Sequence, residues 1–197
     1  MTAIPMRLAS EVEAVVSVHE IDDEALALRL KDGDDAASEE LVRRYATPLL
    51  RYLHRLSGND YIAEELFQQT WLSVLEHVDR FNPKVGGGFK AWLYRIATNK
   101  ANDLWRSKGR EKNAKQGLRL MTDESFPDAS QRMNGSEQEQ RLKKALAQLP
   151  EAQRQVLLLR YYGQLKFVEI AQVLGCPLNT ALGRMHKAMQ KLKVMME

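Results

Sequence analysis

One segment of the chain mixes cations, amides and aromatic rings at the spacing of a helix that contacts nucleic acid. Cations hold a phosphate backbone, amides form hydrogen bonds with base edges, and flat rings stack on unpaired bases. These side chains are Arg95, Asn99, Lys100, Asn102, Trp105, Arg106 and Lys108. For Trp105 a place in the core is an equal alternative, whereas for Trp92, on the apolar stripe, we predict the core.

A second basic segment lies near the C-terminus. Positions 179–196 contain no acid, and the outer face of a predicted helix there carries Arg184, Lys187, Lys191 and Lys193. A short apolar helix and the turn 175–177 precede it, which is the helix-turn-helix pattern whose second helix enters a DNA major groove. The alternative is a helical hairpin with a solvated basic face.

Local signals in this segment predict its details. Gly175 supplies a left-handed turn residue, and Pro177 keeps the short helix from continuing. Asn179 or Thr180 is the predicted N-cap of the longer helix. Its predicted inner side consists of Leu182, Met185, Ala188, Met189 and Leu192.

A third group of polar side chains is acidic and amide-rich. Glu64, Glu65, Gln68 and Gln69 lie on a predicted helix beside an apolar stripe. Such a face is either solvated or docks a protein partner. The stripe itself is predicted to comprise Ile62, Leu66, Phe67, Trp71, Leu72, Leu75 and Val78.

The elements that must position these groups all show helical periodicity. Asp34 or Asp35 caps a helix whose apolar positions run from Leu41 to Leu56, and Pro48 predicts a kink or break near Thr47. The nucleic-acid helix is predicted to end near Arg106. The fold class predicted is all-α, with two small helical bundles joined by a flexible linker and a helix-turn-helix in the second.

Composition divides the chain further. Residues 108–137 are polar and predict a mobile linker between a domain at 22–107 and a domain at 138–197, with residues 1–21 as an N-terminal extension. The net charge of +3 is unevenly spread: residues 1–80 hold 8 basic and 16 acidic side chains, and residues 81–120 hold 10 and 2. Two basic blocks behind an acidic front indicate two places that meet a polyanion.

The sequence lacks the residues that several classes of protein require for their function. The four histidines lie in separate segments, no Walker loop follows Gly86–Gly88, and there is no nucleophile elbow. The single cysteine, Cys176, excludes an intrachain disulfide and a cysteine zinc site, and we predict it to be a half-buried structural thiol. No apolar run reaches the ~20 residues that span a bilayer. We therefore predict a cytoplasmic protein that is no enzyme, carries no cofactor or metal, and does not insert into a membrane.

An ordered series of motifs runs along the chain. In the first half the motifs are DDEAL (22–26), KDGDDAA (31–37), LVRRY (41–45), AEELFQQTW (63–71) and FKAWLYRIATN (89–99). In the second half they are LPEAQRQVL (149–157) and EIAQVLG (169–175). This series resembles the extracytoplasmic-function (ECF, group 4) type of bacterial RNA polymerase sigma factor. The resemblance covers about residues 22–107 and 138–195.

The resemblance implies a transcription initiation factor that binds core RNA polymerase, recognises the −10 and −35 elements of promoter DNA, and assists DNA opening. It places Glu64, Glu65, Gln68 and Gln69 on the polymerase, and Asn99 in a pocket for a flipped base. It assigns the other residues of the 95–108 group to the −10 element. The −35 element would be contacted by Asn179, Thr180, Arg184, His186, Lys187 and Lys191.

Two further points follow from the resemblance. Leu182 stands where the family usually has a basic residue, so base readout shifts to Arg184, His186 and Lys187 or weakens. An anti-sigma factor is implied as a further partner. The alternatives to this function are a helix-turn-helix regulator that acts without being a polymerase subunit, a protein-interaction adaptor and an enzyme.

Overall fold

The computed structural model describes residues 21–118 and 137–196, apart from the side chains of residues 108–118 and Glu139. All regular secondary structure in these ranges is helical, which confirms the all-α prediction. A 3₁₀ turn, Val78–Arg80, follows the third helix. The helices are α1 (Asp23–Lys31), α2 (Asp35–Ser57), α3 (Asp60–His77), α4 (Gly88–Leu118), α5 (Glu137–Gln148), α6 (Glu151–Tyr161), α7 (Phe167–Val173) and α8 (Leu178–Met196).

The first bundle, α1–α4, is built around aromatic and leucine side chains. Tyr52 of α2 and Tyr94 of α4 are fully buried, and their rings meet edge to face with centroids 5.3 Å apart. The Tyr52 hydroxyl forms a 2.8 Å hydrogen bond with Thr98 Oγ1. Burial raises the pKa of both phenols, so both stay neutral. The helix that carries the predicted nucleic-acid face is therefore fixed rigidly along its inner side.

Helix α2 shows one confirmed prediction and one error. Asp34 is its N-cap, and its Oδ1 accepts hydrogen bonds from the backbone N–H groups of Ala36 and Ala37. Of the predicted kink or break near Thr47, the break is wrong because α2 continues through Pro48 to Ser57. Proline removes one helix hydrogen bond, but Tyr45 and Leu49, on either side of it, are both buried in the core. Tertiary packing holds the helix together across the proline.

The second bundle, α5–α8, contains the helix-turn-helix. Gly175 adopts the predicted left-handed conformation, with φ of +58°. Helix α8 begins at Leu178, so Asn179 and Thr180 lie in its first turn and neither is the cap. The carbonyl of Pro177 accepts hydrogen bonds from the N–H groups of Thr180 and Ala181, which starts the helix one residue earlier than predicted.

The inner side of α8 also differs from its prediction. Ala181 and Ala188 are fully buried, whereas Leu182 and Met189 are 40% and 42% exposed. Met185 and Leu192 pack against the core between them. Each residue turns a helix by about 100°. Because Ala181 and Ala188 face the core, the residues that follow them, Leu182 and Met189, point away from it. Two alanines let α8 approach its neighbours closely, and two of the side chains predicted for the inner side remain on the surface.

Helix α4 is longer than predicted. It runs past Arg106 to Leu118 and so takes in the first part of the predicted linker. Eight of the twelve residues 107–118 are Lys, Arg, Glu, Gln, Ala or Leu, which favour helix even where polarity suggests a linker, although Gly109 and Gly117 do not. The predictions for residues 1–20 and 119–136 lie outside the described residues.

Candidate nucleic-acid interface

The N-terminus of α4 is held in place by α1. Gly86, Gly87 and Gly88 have φ values of +83°, +84° and +80°, a conformation that favours glycine. At Gly88 a Cβ atom would collide with Glu24 Oε1 of α1. The same carboxylate accepts a 3.3 Å hydrogen bond from the N–H of Phe89. This contact fixes where α4 begins and therefore which of its faces is free.

The free face of α4 is a polar stripe. Arg95, Asn99, Asn102 and Arg106 recur at spacings of four, three and four residues, so they lie above one another on the helix. The opposite face is buried through Phe89 and its successors at helical spacing. The structure thus brings together four of the seven residues predicted for the −10 element.

This polar stripe forms one wall of a cleft between the two bundles. The cleft encloses about 340 Å³. Its other wall comes from α6–α8 and includes Gln155, Gln172 and Arg184. Arg184 is a predicted −35 residue, so the two predicted DNA-contacting surfaces meet in one cleft.

Direct contacts join the two bundles at this cleft. Gln155 Nε2 donates a 2.6 Å hydrogen bond to Asn102 Oδ1. The Arg154 guanidinium lies 6.0 Å from the centroid of the Trp105 ring, at the outer limit of a cation–π contact. Trp105 is partly buried and packs against the core, as the core alternative considered for it predicts, while its contact with nucleic acid stays a prediction. Asn102 and Trp105 are engaged with the second bundle, while Asn99 is exposed.

The remaining cations of α4 are less constrained. Arg106 is exposed and forms a 3.5 Å ion pair with Asp103. Exposed pairs of this kind stabilise weakly, so the guanidinium is free to exchange partners. Lys100 is half-buried. The prediction for Lys108 concerns a side chain outside the described part of the structure.

Helix α8 presents a polar outer surface. Its predicted −35 residues Asn179, Thr180, His186, Lys187 and Lys191 are all exposed, and Arg184 is half-buried in the cleft. Leu178, Leu182 and Met189 are exposed beside them. The first two turns of α8 therefore combine amide, hydroxyl, cationic and apolar groups, the types that contact base edges and thymine methyl groups.

The predicted polymerase face on α3 has a component that the sequence analysis missed. Glu64 and Gln68 are exposed, and Gln69 Nε2 donates a 3.0 Å hydrogen bond to Glu65 Oε1. Leu72 and Leu75, predicted as core, are 57% and 52% exposed. Their signal was present: at about 100° per residue, the seven predicted positions spread around most of the helix circumference, which is too wide for one buried face.

The exposed positions of α3 form one continuous surface. Tyr61, Glu65, Gln68, Leu72 and Leu75 recur at alternating spacings of four and three residues. Tyr61 is 76% exposed. We call this set of five the α3 face. Apolar groups rimmed by polar ones on an exposed surface indicate a protein interaction site.

Residues 21–118 and 137–196 lack both a metal-binding group of side chains and a membrane-spanning helix. No three His, Cys, Asp or Glu side chains there come together in a group that could hold a metal ion. No helix there has the length and apolar character needed to cross a membrane.

Two family models match the chain. Residues 41–111 match sigma-70 region 2, which includes most of α2, all of α3 and the polar stripe of α4. Residues 139–192 match sigma-70 region 4, which includes the helix-turn-helix.

Individual proteins are similar over much of the chain. It is 31% identical to the ECF RNA polymerase sigma factor ShbA of Streptomyces griseus over 185 residues, covering 88% of this chain and 94% of the relative. It is 35% identical to the ECF sigma factor SigE of Mycolicibacterium smegmatis over 167 residues, which cover 82% of this chain and 63% of that relative. Among solved structures, the sigma factor RpoE of Bartonella quintana, crystallised with the anti-sigma factor NepR, superposes with a TM-score of 0.65 at 26% identity. That match covers 80% of this chain and 94% of the other.

Proposed function

The chain belongs to the ECF family of RNA polymerase sigma factors, and from that membership we propose a role for each of its three surfaces. It is a promoter-directing initiation factor of RNA polymerase. We assign the polar stripe of α4 to the −10 element, the outer surface of α8 to the −35 element, and the α3 face to core polymerase. The supporting geometry differs for each surface.

The α4 stripe suits a single DNA strand. Asn99 is exposed at its centre, where its amide can bond the Watson–Crick edge of an unpaired base. Arg95 and Arg106 stand one turn or more on either side and can hold phosphates. Trp105 offers a ring for stacking once the second bundle moves away from it. Binding an unpaired strand would draw the duplex towards the open state.

The start of α8 suits a duplex. Asn179, Thr180 and Lys187 are exposed on the N-terminal half of the second helix of a helix-turn-helix, the part that enters a major groove. Lys191 lies one turn further on, where a phosphate contact is expected. Leu182 provides an apolar contact in place of a hydrogen bond.

The α3 face suits a protein. Its exposed leucines bury apolar surface on binding, and its carboxylate and amides form the polar rim. We propose that this surface docks on core polymerase. The protein acts where polymerase acts, in the cytoplasm, and leaves the chemistry of RNA synthesis to the polymerase.

We propose an anti-sigma protein as a second partner. The RpoE structure, similar to this chain over 80% of its length, is a complex with an anti-sigma factor. Exposed apolar groups on α3 and α8 give such a protein surfaces to cover.

The observation that best supports the assignment is the pairing of Asn99 and Arg184 in one cleft. Because both proposed readers line a cleft of only about 340 Å³, DNA does not fit between them. The two bundles must separate before either element is read. Polymerase binding is the step that we propose separates them, which makes the chain a poor DNA binder by itself.

Two amide variants test the assignment of readers. Asn99→Ala should reduce base preference at the −10 element by about 5- to 150-fold while leaving −35 preference intact, since an amide–base pair discriminates by about 1–3 kcal/mol. Asn179→Ala is the matched control, with the opposite expectation. The measurement is transcription by the reconstituted holoenzyme on promoter libraries randomised at each element. Loss at the wrong element, or at both equally, would reject the assignment.

A further inference from the structure

A second cleft between the bundles has a lining that shares no residue with the polar cleft. It encloses about 740 Å³, within the range of small-molecule sites. Four cations line it: Arg51 and Arg55 from α2, Lys143 from α5, and Arg154 from α6. Each bundle therefore contributes two positive charges to the same space.

These charges are not balanced by neighbours. The one acid that lines the cleft is Asp60, and its Oδ1 lies 3.0 Å from His54 Nδ1. No ion pair joins the four cations to any acid within the described residues. The C-terminus of α2 adds only about half a negative charge. The cleft consequently keeps a strongly positive potential, which low-dielectric walls focus.

One buried donor in this cleft has no acceptor. Arg154 Nε is shielded from solvent and has no hydrogen-bond partner in the structure. A buried N–H left without a partner costs free energy, more so on a charged group. An anion in the cleft would supply the counter-charge that this guanidinium lacks.

We propose that this cleft binds a small polyanion that carries several phosphate groups, such as an inorganic polyphosphate or a nucleoside triphosphate. Four convergent cations suit a compact ligand of comparable negative charge, and arginine forks match phosphate oxygens. A compartment of 740 Å³ is about 9 Å on a side, narrower than the ~12 Å major groove alone. A DNA duplex therefore does not enter.

The ligand would tie the two bundles together. Arg51 and Arg55 belong to the first bundle, and Lys143 and Arg154 to the second. Without an anion their charges repel across the cleft, and with one they share a counter-charge. Occupancy thus favours the arrangement in which Asn102 bonds Gln155 and the α4 stripe faces the second bundle. The site makes the closed state sensitive to a phosphate-bearing metabolite.

Calorimetric titration of the full chain with inorganic tripolyphosphate, at constant physiological ionic strength, tests the proposal. We expect saturable binding with one site per chain. Arg51→Gln and Lys143→Gln should each weaken it about threefold, and the double variant about tenfold, because each removes one phosphate contact. Arg51 and Lys143 are exposed, so folding tolerates both changes.

The control is the double variant Lys31→Gln and Arg80→Gln, which removes the same charge from exposed positions outside the cleft. It should bind as the wild type does. Equal losses in the two double variants would mean non-specific charge attraction, and absence of saturation would mean no site. If only one of the two single variants, Arg51→Gln or Lys143→Gln, weakened binding, the ligand would not bridge the two bundles. An acidic peptide that binds more tightly and displaces tripolyphosphate would reassign the cleft to a protein. Each of these results overturns the proposal.

Discussion

Gly88 and Glu24 show how a single residue controls the candidate interface. Glu24 lies in the first turn of α1 and reaches across to the backbone where α4 begins. It can do so because Gly88 has no side chain, and the positive φ at Gly88 turns the chain into the helix. Glu24 therefore satisfies a backbone donor that the start of a helix leaves open. The orientation of Asn99 and Arg95 depends on this contact.

Replacing Gly88 by alanine should destabilise the protein by about 2 kcal/mol. About 1 kcal/mol is the cost of a positive φ for a residue with a Cβ. The remaining ~1 kcal/mol arises because the Glu24 carboxylate must move away from the new Cβ and lose its hydrogen bond with the N–H of Phe89. Urea unfolding measures the change.

Gly33→Ala separates these two contributions. Gly33 has a similar φ of +84°, but nothing lies within 4 Å of the Cβ position. It should lose only about 1 kcal/mol. Equal losses in the two variants would show that the Glu24 contact contributes nothing.

For single residues, the sequence predicts which types of side chain lie on a surface better than it predicts which contacts each of them makes. The exposed cations and amides of α8 follow from the absence of acids between positions 179 and 196. The half-buried state predicted for Cys176 is confirmed. That Asn102 meets Gln155 could not be predicted, because the two are 53 positions apart and their contact depends on how the bundles pack.

Helix α3 shows what a whole element adds to its residues. One face, including Leu66 and Val74, is buried against the bundle, while the α3 face points outward. A helix with apolar groups on two faces keeps one apolar face uncovered in the monomer, and a protein partner can bury that face. That property distinguishes the α3 face from an ordinary solvated acidic helix.

Leu72→Ala with Leu75→Ala should weaken binding to core polymerase at least tenfold. Removing two exposed leucines from an interface takes away apolar burial, with an expected loss of about 1–2 kcal/mol or more. Because both are more than half exposed, stability should change little. Affinity is measured by titrating labelled chain with core enzyme.

Val85→Ala with Val194→Ala is the matched control. Both valines are exposed, at 63% and 76%, and neither lies on α3. This variant should bind the core enzyme as tightly as the wild type. Equal weakening by both variants, or no weakening by the leucine pair, would remove α3 from the polymerase interface.

Elements were predicted well where apolar periodicity was strong and poorly where composition misled. The sequence predicts helices at 151–162, about 166–174 and 179–195, and α6, α7 and α8 begin and end within one residue of these bounds. Pro48, for which a kink or break was predicted, and the residues after Arg106, where α4 was predicted to end, lie within helices. Burial of Tyr45 and Leu49 on either side of Pro48 is a tertiary effect that local pattern does not contain.

The whole molecule is defined by how its two bundles meet. Helices α2 and α4 of the first bundle contact α6 and α7 of the second. The basic blocks that the charge count separated, at 81–120 and 151–197, converge at the polar cleft through Arg95, Arg106 and Arg184. The near-neutral total of +3 therefore coexists with a concentrated positive surface. Sequence alone predicted both blocks but not that they face one another.

The most direct test of this account is a footprint on a promoter that the holoenzyme itself selects in run-off transcription. The promoter fragment is exposed to nuclease with the chain alone, with core polymerase alone, and with both together. We predict protection of the −35 and −10 elements only with both, because polymerase must separate the two readers. Protection by the chain alone would identify a helix-turn-helix regulator that needs no polymerase and would contradict the account, as would the absence of a specific footprint when both are present.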